Sequence, residues 1–330
     1  MFDVITFGSA AWDAFMEMPA KYIKKDGCFI AGRGFVFNMG SKIDISGARF
    51  AFGGGGINTA TTFARQGFKT AYCGMVGDDI PGREVAQYLK RIGVSAGLMS
   101  FTNDRATNNS VVLNAQGEDR AILVYRGASE LLESKHIAWD RINAKLFYLA
   151  PLSGKLSALT DEIIAFAQKN GIMVAANLGN SQLSMAKPRL QKLLSGINVL
   201  ILNKEEAATL TGIDYSDEDR IVARMARMHS GISVMTKGKD GAMIIANGKI
   251  YEAKLKKFKV IDVTGAGDAF SSGFMSGMLA TGNDIEYSFK MALVNSKHCL
   301  SIRGADKLLA KDDNYLVDRE DIKIIVRQSG

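Results

Sequence analysis

A chain of 330 residues with 47% apolar and 23% charged side chains can bury a sizeable core, which excludes a disordered, collagen-like or disulfide-scaffold protein. Its formal net charge of +7 favours phosphate-bearing partners, yet the basic residues are scattered and lack interleaved aromatics, so a nucleic-acid platform is not expected. Cys28, Cys73 and Cys299 lie far apart without metal-type spacing, which a reducing compartment tolerates.

From the amino terminus, MFDVITFG carries an acid at position three and no charged-then-apolar leader, so it reads as a first strand rather than a signal peptide. No apolar stretch approaches the ~18 residues of a membrane span. A cytoplasmic location without a membrane partner is expected. Apolar, β-branched runs then recur at Val4 to Phe7, Thr70 to Val76, Leu146 to Leu149, Met173 to Ala176, Val199 to Leu202, Ser233 to Thr236 and Ala242 to Ile245. Amphipathic stretches with helical spacing lie between most of them, such as Leu159, Ile163, Ile164 and Ala167. Strand alternating with helix predicts an α/β fold, a mostly parallel sheet covered on both faces, with ligands beyond the carboxyl ends of its strands.

Two regions break this rhythm. Residues 16–50 carry strand-like segments at Phe35 to Met39 and Ile43 to Ile45, and residues 101–126 contain a hairpin, Ser110 to Asn114 and Ala121 to Tyr125, turning at Gln116-Gly117-Glu118-Asp119. Together they predict a small β lid over a large domain formed by residues 1–15, 51–100 and 127–330. The lysines at 254, 256, 257 and 259 read as a solvated strand.

Chemistry concentrates in two glycine-rich segments. Ile261-Asp262-Val263-Thr264-Gly265-Ala266-Gly267-Asp268 enters a helix on which Phe270, Phe274 and Met278 form one apolar stripe. Glycines at such a start admit an anion to the free N–H groups, and Asp268 in the first turn is suited to accept a proton from an attacking hydroxyl. Helix physics alone equally allows Asp268 to be an ordinary acid at a helix N-terminus. Four consecutive glycines, Gly53 to Gly56, precede Asn58; the run serves either a tight turn alone or, the better reading, close approach of backbone to a polyhydroxyl ligand, with Gly53, Gly54, Gly55 and Asn58 as its contacts. The Asn108-Asn109-Ser110 stretch, with Arg105, Arg120 and Arg126 nearby, faces either the acceptor, through Asn109, or solvent.

Gly-Ala-Gly-Asp after Asp-x-Thr resembles the signature of the ribokinase-like (PfkB) family, and the paired glycines before Asn58 and Ala60 resemble its amino-terminal sugar-binding signature. Further matches follow in order over about residues 3–305: Val76 to Gly82, Asn203-Lys204-Glu205-Glu206 as N-x-x-E, and Thr236 to Ala242 as the nucleotide turn. The resemblance implies a three-layer sandwich with a β lid, and transfer of the γ-phosphoryl group of ATP to a hydroxyl of a sugar or nucleoside. It makes Asp268 the base and Gly265, Ala266 and Gly267 the anion hole. It places Asp13 on the acceptor, Asn203 and Glu206 about Mg2+ and phosphate through water, Thr236, Gly238 and Gly241 on the nucleotide, and Asn295 in the adenine pocket. It gives Asp262 a part in arranging a monovalent cation such as K+, and it suggests a homodimer through the lid. Ribokinases of this pattern carry a lysine and a glutamate where this chain has Gly55 and Ala150, so sugar, sugar-phosphate and nucleoside acceptors stay open, as does a ligand-binding regulator without turnover.

A P-loop kinase is excluded because GxxxxGK[ST] does not occur. A dehydrogenase is disfavoured because the first strand ends in Gly8-Ser9-Ala10-Ala11 without GxGxxG.

Overall fold

The structure, a computed structural model, describes residues 1–29, 32–115, 120–302 and 308–328. Its strands are β1 (Phe2–Phe7), β2 (Ala11–Glu17), β3 (Ile23–Lys25), β4 (Arg33–Phe35), β5 (Gly47–Gly53), β6 (Thr70–Cys73), β7 (Met75–Gly77), β8 (Ser100–Thr102), β9 (Asn109–Asn114), β10 (Ala121–Tyr125), β11 (Ala144–Leu149), β12 (Met173–Asn177), β13 (Val199–Asn203), β14 (Ile232–Thr236), β15 (Ala242–Ala246), β16 (Lys249–Ala253) and β17 (Ile325–Gln328). The α-helices are α1 (Gly55–Arg65), α2 (Ile80–Arg91), α3 (Gly154–Ala158), α4 (Thr160–Lys169), α5 (Asn180–Leu183), α6 (Lys187–Leu194), α7 (Lys204–Thr211), α8 (Glu218–Met228), α9 (Ala266–Thr281), α10 (Ile285–Ser301) and α11 (Tyr315–Arg319).

The main sheet runs β17-β16-β15-β14-β13-β12-β11-β1-β6. Pairing is parallel from β6 through β14 and antiparallel at the β14 to β17 end. Strands covered on both faces read as unbroken apolar runs, which is why they were legible in sequence. Alternate residues serve opposite layers. Ile5, Phe7, Phe147 and Leu149 pack with α4, α6, α7 and α8 on one face, whereas Val4, Leu146 and Tyr148 pack with α1, α9 and α10 on the other. Burying a side chain such as Phe147, fully enclosed here, contributes about 1.5–3 kcal/mol.

A separate sheet, ordered β10-β9-β2-β5, forms the lid. Its β9–β10 hairpin is as expected, while the turn at 116–119 lies outside the described residues. Four expectations are corrected. Residues 11–15 and 51–53 pair within the lid sheet rather than the large domain, because β2 follows β1 after only three residues and zips against β5. The run from Thr70 to Val76 breaks at Gly74, and its second half pairs with β8 instead. A Cβ at Gly74 would stand 2.0 Å from the Tyr72 hydroxyl oxygen. Residues 36–46 form no strand, and neither does the 254–260 lysine segment. Among the described residues, no helix is long and apolar enough to cross a membrane.

Candidate active site

Helix α9 starts on Gly265, whose φ of 79° is left-handed backbone that a side chain resists. The first-turn N–H groups of a helix lack partners inside it, so this start offers donors and a positive dipole end to an anion. Half-buried Asp268 stands in that turn. From α1, Asn58 Nδ2 donates to Asp268 Oδ2 at 2.8 Å. Helix α1 is brought there by Gly54, whose φ is 92° and whose added Cβ would lie 2.5 Å from the Ser9 carbonyl oxygen. Gly55 leaves space that matters: its Cβ would meet the Ala150 Cβ at 2.9 Å and stand 3.5 Å from Asp268 Oδ1. Ser9 lies two residues past the carboxyl end of β1 and Ala150 directly follows that of β11, the edge at which open α/β sheets bind ligands.

Two cavities meet at the segment that enters α9. One, of about 330 Å³, lies between lid and large domain; Asp13, Arg49, Gly53, Gly54, Asn58 and Arg91 line it, together with Asp262 and Thr264. The other, of about 510 Å³, lies over the sheet's edge and is lined by Thr236, Gly238, Gly241, Val263, Ala266 and Gly267. Residues 262–267 are therefore the wall between them, with Asp262 and Thr264 on the first side and Val263 and Gly267 on the second. The larger cavity has an apolar floor of Phe270, Leu293 and Leu300 and basic residues Lys239, Lys256 and Lys257, matching a flat ring and its phosphates. Lys256 reaches across its exposed loop to Asp321 at 2.7 Å.

The acceptor-side cavity holds a residue absent from the sequence reading. Arg49, on the face of β5 shared with Asp13, stacks its guanidinium 3.6 Å from the Phe15 ring centroid and pairs with Asp262 Oδ2 at 3.2 Å. Asp262 Oδ1 accepts the Thr264 N–H at 2.9 Å. The carboxylate expected to help arrange a monovalent cation thus faces a guanidinium. Only tertiary structure brings Arg49 here, since nothing in its neighbourhood in sequence marks it.

Asn203 and Glu206 cap α7. Asn203 Oδ1 accepts the Glu206 N–H and Glu206 Oε2 accepts the Asn203 N–H, each at 2.8 Å. Burial pushes the Glu206 carboxyl above its ordinary range, against the pull of these hydrogen bonds and of Asn177. Neither residue lines the two cavities, although the charges of both Asp268 and Glu206, added to burial, raise the pKa of the enclosed Tyr148 hydroxyl. Among the described residues no three His, Cys, Asp or Glu side chains cluster as a ready metal cage.

Two expected contacts are corrected. Asn295 is fully buried: its amide donates to the Ala269 carbonyl at 2.7 Å and accepts the Leu309 N–H at 2.8 Å. It stitches α10 to α9, while its neighbours Leu293 and Ser296 face the larger cavity. Asn109 is also misplaced. Ala11 bridges Asn108 and Ala14 pairs with Val111, so Asn109 falls on the Trp12 face of the lid, opposite Asp13. Asn108 is buried and structural, holding Gly127 and Ser129.

Comparison with known proteins follows this geometry. A profile described as "pfkB family carbohydrate kinase" matches residues 35–309. The chain is 28% identical over 237 residues to a ribokinase of Haemophilus influenzae, covering 70% of this chain and 75% of that protein. It is 23% identical over 291 residues to a nucleoside kinase of Methanocaldococcus jannaschii, covering 86% and 92%. The structure of Arabidopsis thaliana ribokinase complexed with ribose and ATP superposes with a TM-score of 0.79 at 21% identity, covering 96% of this chain and 98% of that one. With the profile spanning most of its length and the fold shared throughout, the chain belongs to the pfkB family of carbohydrate kinases.

Proposed function

We propose that this phosphotransferase moves the γ-phosphoryl group of ATP onto a sugar hydroxyl, with Asp268 as general base and Gly265, Ala266 and Gly267 as the anion hole. The observation that carries this reading is the shared wall at 262–267, with a cavity on each side and Asp268 held by Asn58 at its end. ATP lies over Thr236, Gly238 and Gly241 with its phosphates toward Gly267. The acceptor lies under the lid against Asp13, Gly53, Gly54 and Asn58. Asn58 orients the Asp268 carboxylate, which takes the proton as the acceptor oxygen attacks in line with the bond to the departing ADP. Most of the acceleration comes from positioning and from charge stabilisation at the helix start. Asn203 and Glu206 would hold the water shell of a magnesium ion bound with the nucleotide, which would neutralise phosphate charge. No step is assigned to a monovalent cation at Asp262, whose carboxylate is paired with Arg49.

Acceptor identity follows from what fills the smaller cavity. The Arabidopsis ribokinase structure contains ribose and ATP, but here Gly55 and Ala150 replace a lysine and a glutamate of ribokinases and face one another, which argues against ribose itself. Arg49 and Arg91 favour a second reading, an acceptor that already carries a phosphate. A nucleoside is less favoured, because the aromatic faces are taken: Arg49 covers Phe15 and Phe52 stacks on Tyr88 at 4.3 Å.

The lid's outer face carries Trp12, Phe50, Leu123 and Tyr125, with Phe50 62% and Leu123 61% exposed. A second copy of the chain covering this face would form a homodimer; light scattering of wild type and Phe50→Glu tests it. A reducing, cytoplasmic setting suits three cysteines that are all free thiols. ADP release with ATP and a panel of neutral sugars, sugar phosphates and nucleosides tests the main reading. Turnover with a sugar or sugar phosphate supports it, and nucleotide binding without acceptor-dependent ADP release overturns it.

A further inference from the structure

Away from both cavities, the outer surface between α6, α7 and α8 holds two adjoining clefts of about 410 and 380 Å³ that share Thr211, Arg224 and Arg227. Their floor is apolar, from Leu190, Leu194, Leu210, Ile213 and Met228. Their rim is basic. Arg220, Arg224 and Arg227 recur at spacings of four and three along α8, so they form one stripe of like charge, and Lys187 faces them from α6. No lining residue is an Asp or Glu. Arg220 leans on Asp217 at 3.3 Å, but among the described residues Arg224 and Arg227 pair with no carboxylate. Like charges one helical turn apart destabilise a helix, so this stripe opposes folding, and among the described residues only Arg220 offsets that with an ion pair.

The same helices reach the nucleotide side. Glu218, the first residue of α8, binds Lys204 at 2.9 Å and Lys237 at 2.8 Å. Lys237 also pairs with Glu252 at 2.6 Å and directly precedes Gly238, which lines the larger cavity. Lys204 opens α7, whose other end, Thr209 to Thr211, walls the cleft. A ligand drawing α7 and α8 together therefore acts on the ion-pair chain that seats the nucleotide turn.

We propose that this cleft is an effector site for a small ligand with an anionic phosphate head and an apolar tail, its head on Arg224 and Arg227 and its tail on Leu190, Leu194 and Met228. Because linkage is reciprocal, its occupancy shifts nucleotide affinity, and nucleotide shifts its own. Octyl phosphate is the probe, with octyl glucoside as the same tail without charge, titrated calorimetrically into the full chain with and without ADP. The expected result is binding of octyl phosphate at least ten-fold tighter than of octyl glucoside. Replacing both arginines, Arg224→Ala with Arg227→Ala, should weaken it ten-fold or more while leaving ADP affinity of the free protein unchanged. Saturating octyl phosphate should move the ADP dissociation constant at least two-fold in wild type and not in the double variant. Arg224→Gln alone, which keeps helix-forming length, should give an intermediate loss. Equal binding of both probes, equal binding by the double variant, an unmoved ADP constant, or no binding at millimolar concentration each overturns the proposal. Since binding alone is read, none of these outcomes bears on whether the chain phosphorylates a sugar.

Discussion

Asn58 Nδ2 and Asp268 Oδ2 are 2.8 Å apart, joining the first turns of two helices that come from opposite ends of the chain. The bond aims the carboxylate at the acceptor side, since Asn58 also lines that cavity. Removing a donor to a charged group costs about 1.5–3 kcal/mol. Asn58→Ala should therefore lower kcat/KM by roughly ten- to a hundred-fold, with ATP affinity unchanged. Steady-state kinetics with a separate nucleotide titration checks this, and an unaltered kcat/KM would mean that Asn58 does not orient the base.

Arg49 makes an ionic contact from the lid to the large domain, and its partner Asp262 is only 12% exposed in its side chain. Arg49→Ala should raise the acceptor KM on the order of ten-fold, equivalent to about 1.4 kcal/mol, with a smaller effect on the KM for ATP. Arg49→Lys should recover little, because an ammonium cannot both stack on Phe15 and reach Asp262. Equal changes in both KM values would point to general destabilisation instead.

Gly267 is exposed, lines the larger cavity, and would find nothing within 4 Å of an added Cβ. Gly267→Ala should thus keep or raise stability, by up to about 1 kcal/mol, while turnover falls at least about ten-fold, as expected when a methyl group intrudes on an anion site. Thermal melting and kinetics on one preparation separate the two effects. A variant that is less stable yet fully active would contradict this assignment.

His229 sets a pH dependence of stability. It is buried, its Nε2 donating to the Ile197 carbonyl and its Nδ1 accepting from the Ser233 hydroxyl, each at 2.9 Å. Burial holds its pKa below the ordinary 6.5, against the hydrogen bond to Ile197. With the folded pKa depressed, the unfolded chain binds the proton first, so stability is full above pH 6.5 and falls as pH drops toward the folded value. The slope contributed is at most about 1.4 kcal/mol per pH unit. Denaturant titrations between pH 7.5 and about 5 should show this loss in wild type and a flatter profile in His229→Gln.

What was legible in sequence has a physical pattern. The main strands announced themselves because burial on both faces leaves an unbroken apolar run, and the start of α9 because glycine, acid and an apolar stripe repeating every four residues agree. Asn109 was misassigned because a shift of one residue in a strand exchanges faces, and only the pairing of β2 with β9 fixes the register. Asn295 failed for a different reason: a polar residue on an amphipathic helix looks the same in sequence whether it meets ligand or satisfies a buried carbonyl. Arg49 and Arg91 were invisible because their shared cavity joins a lid strand to the far end of α2.

Asp268 carries the central claim. ADP formation from ATP, measured for wild type and Asp268→Asn with the best acceptor from the panel, tests it most directly. The account predicts a fall in kcat of at least ~100-fold with nucleotide and acceptor still bound. Turnover within a few-fold of wild type would remove Asp268 from the chemistry and contradict the account.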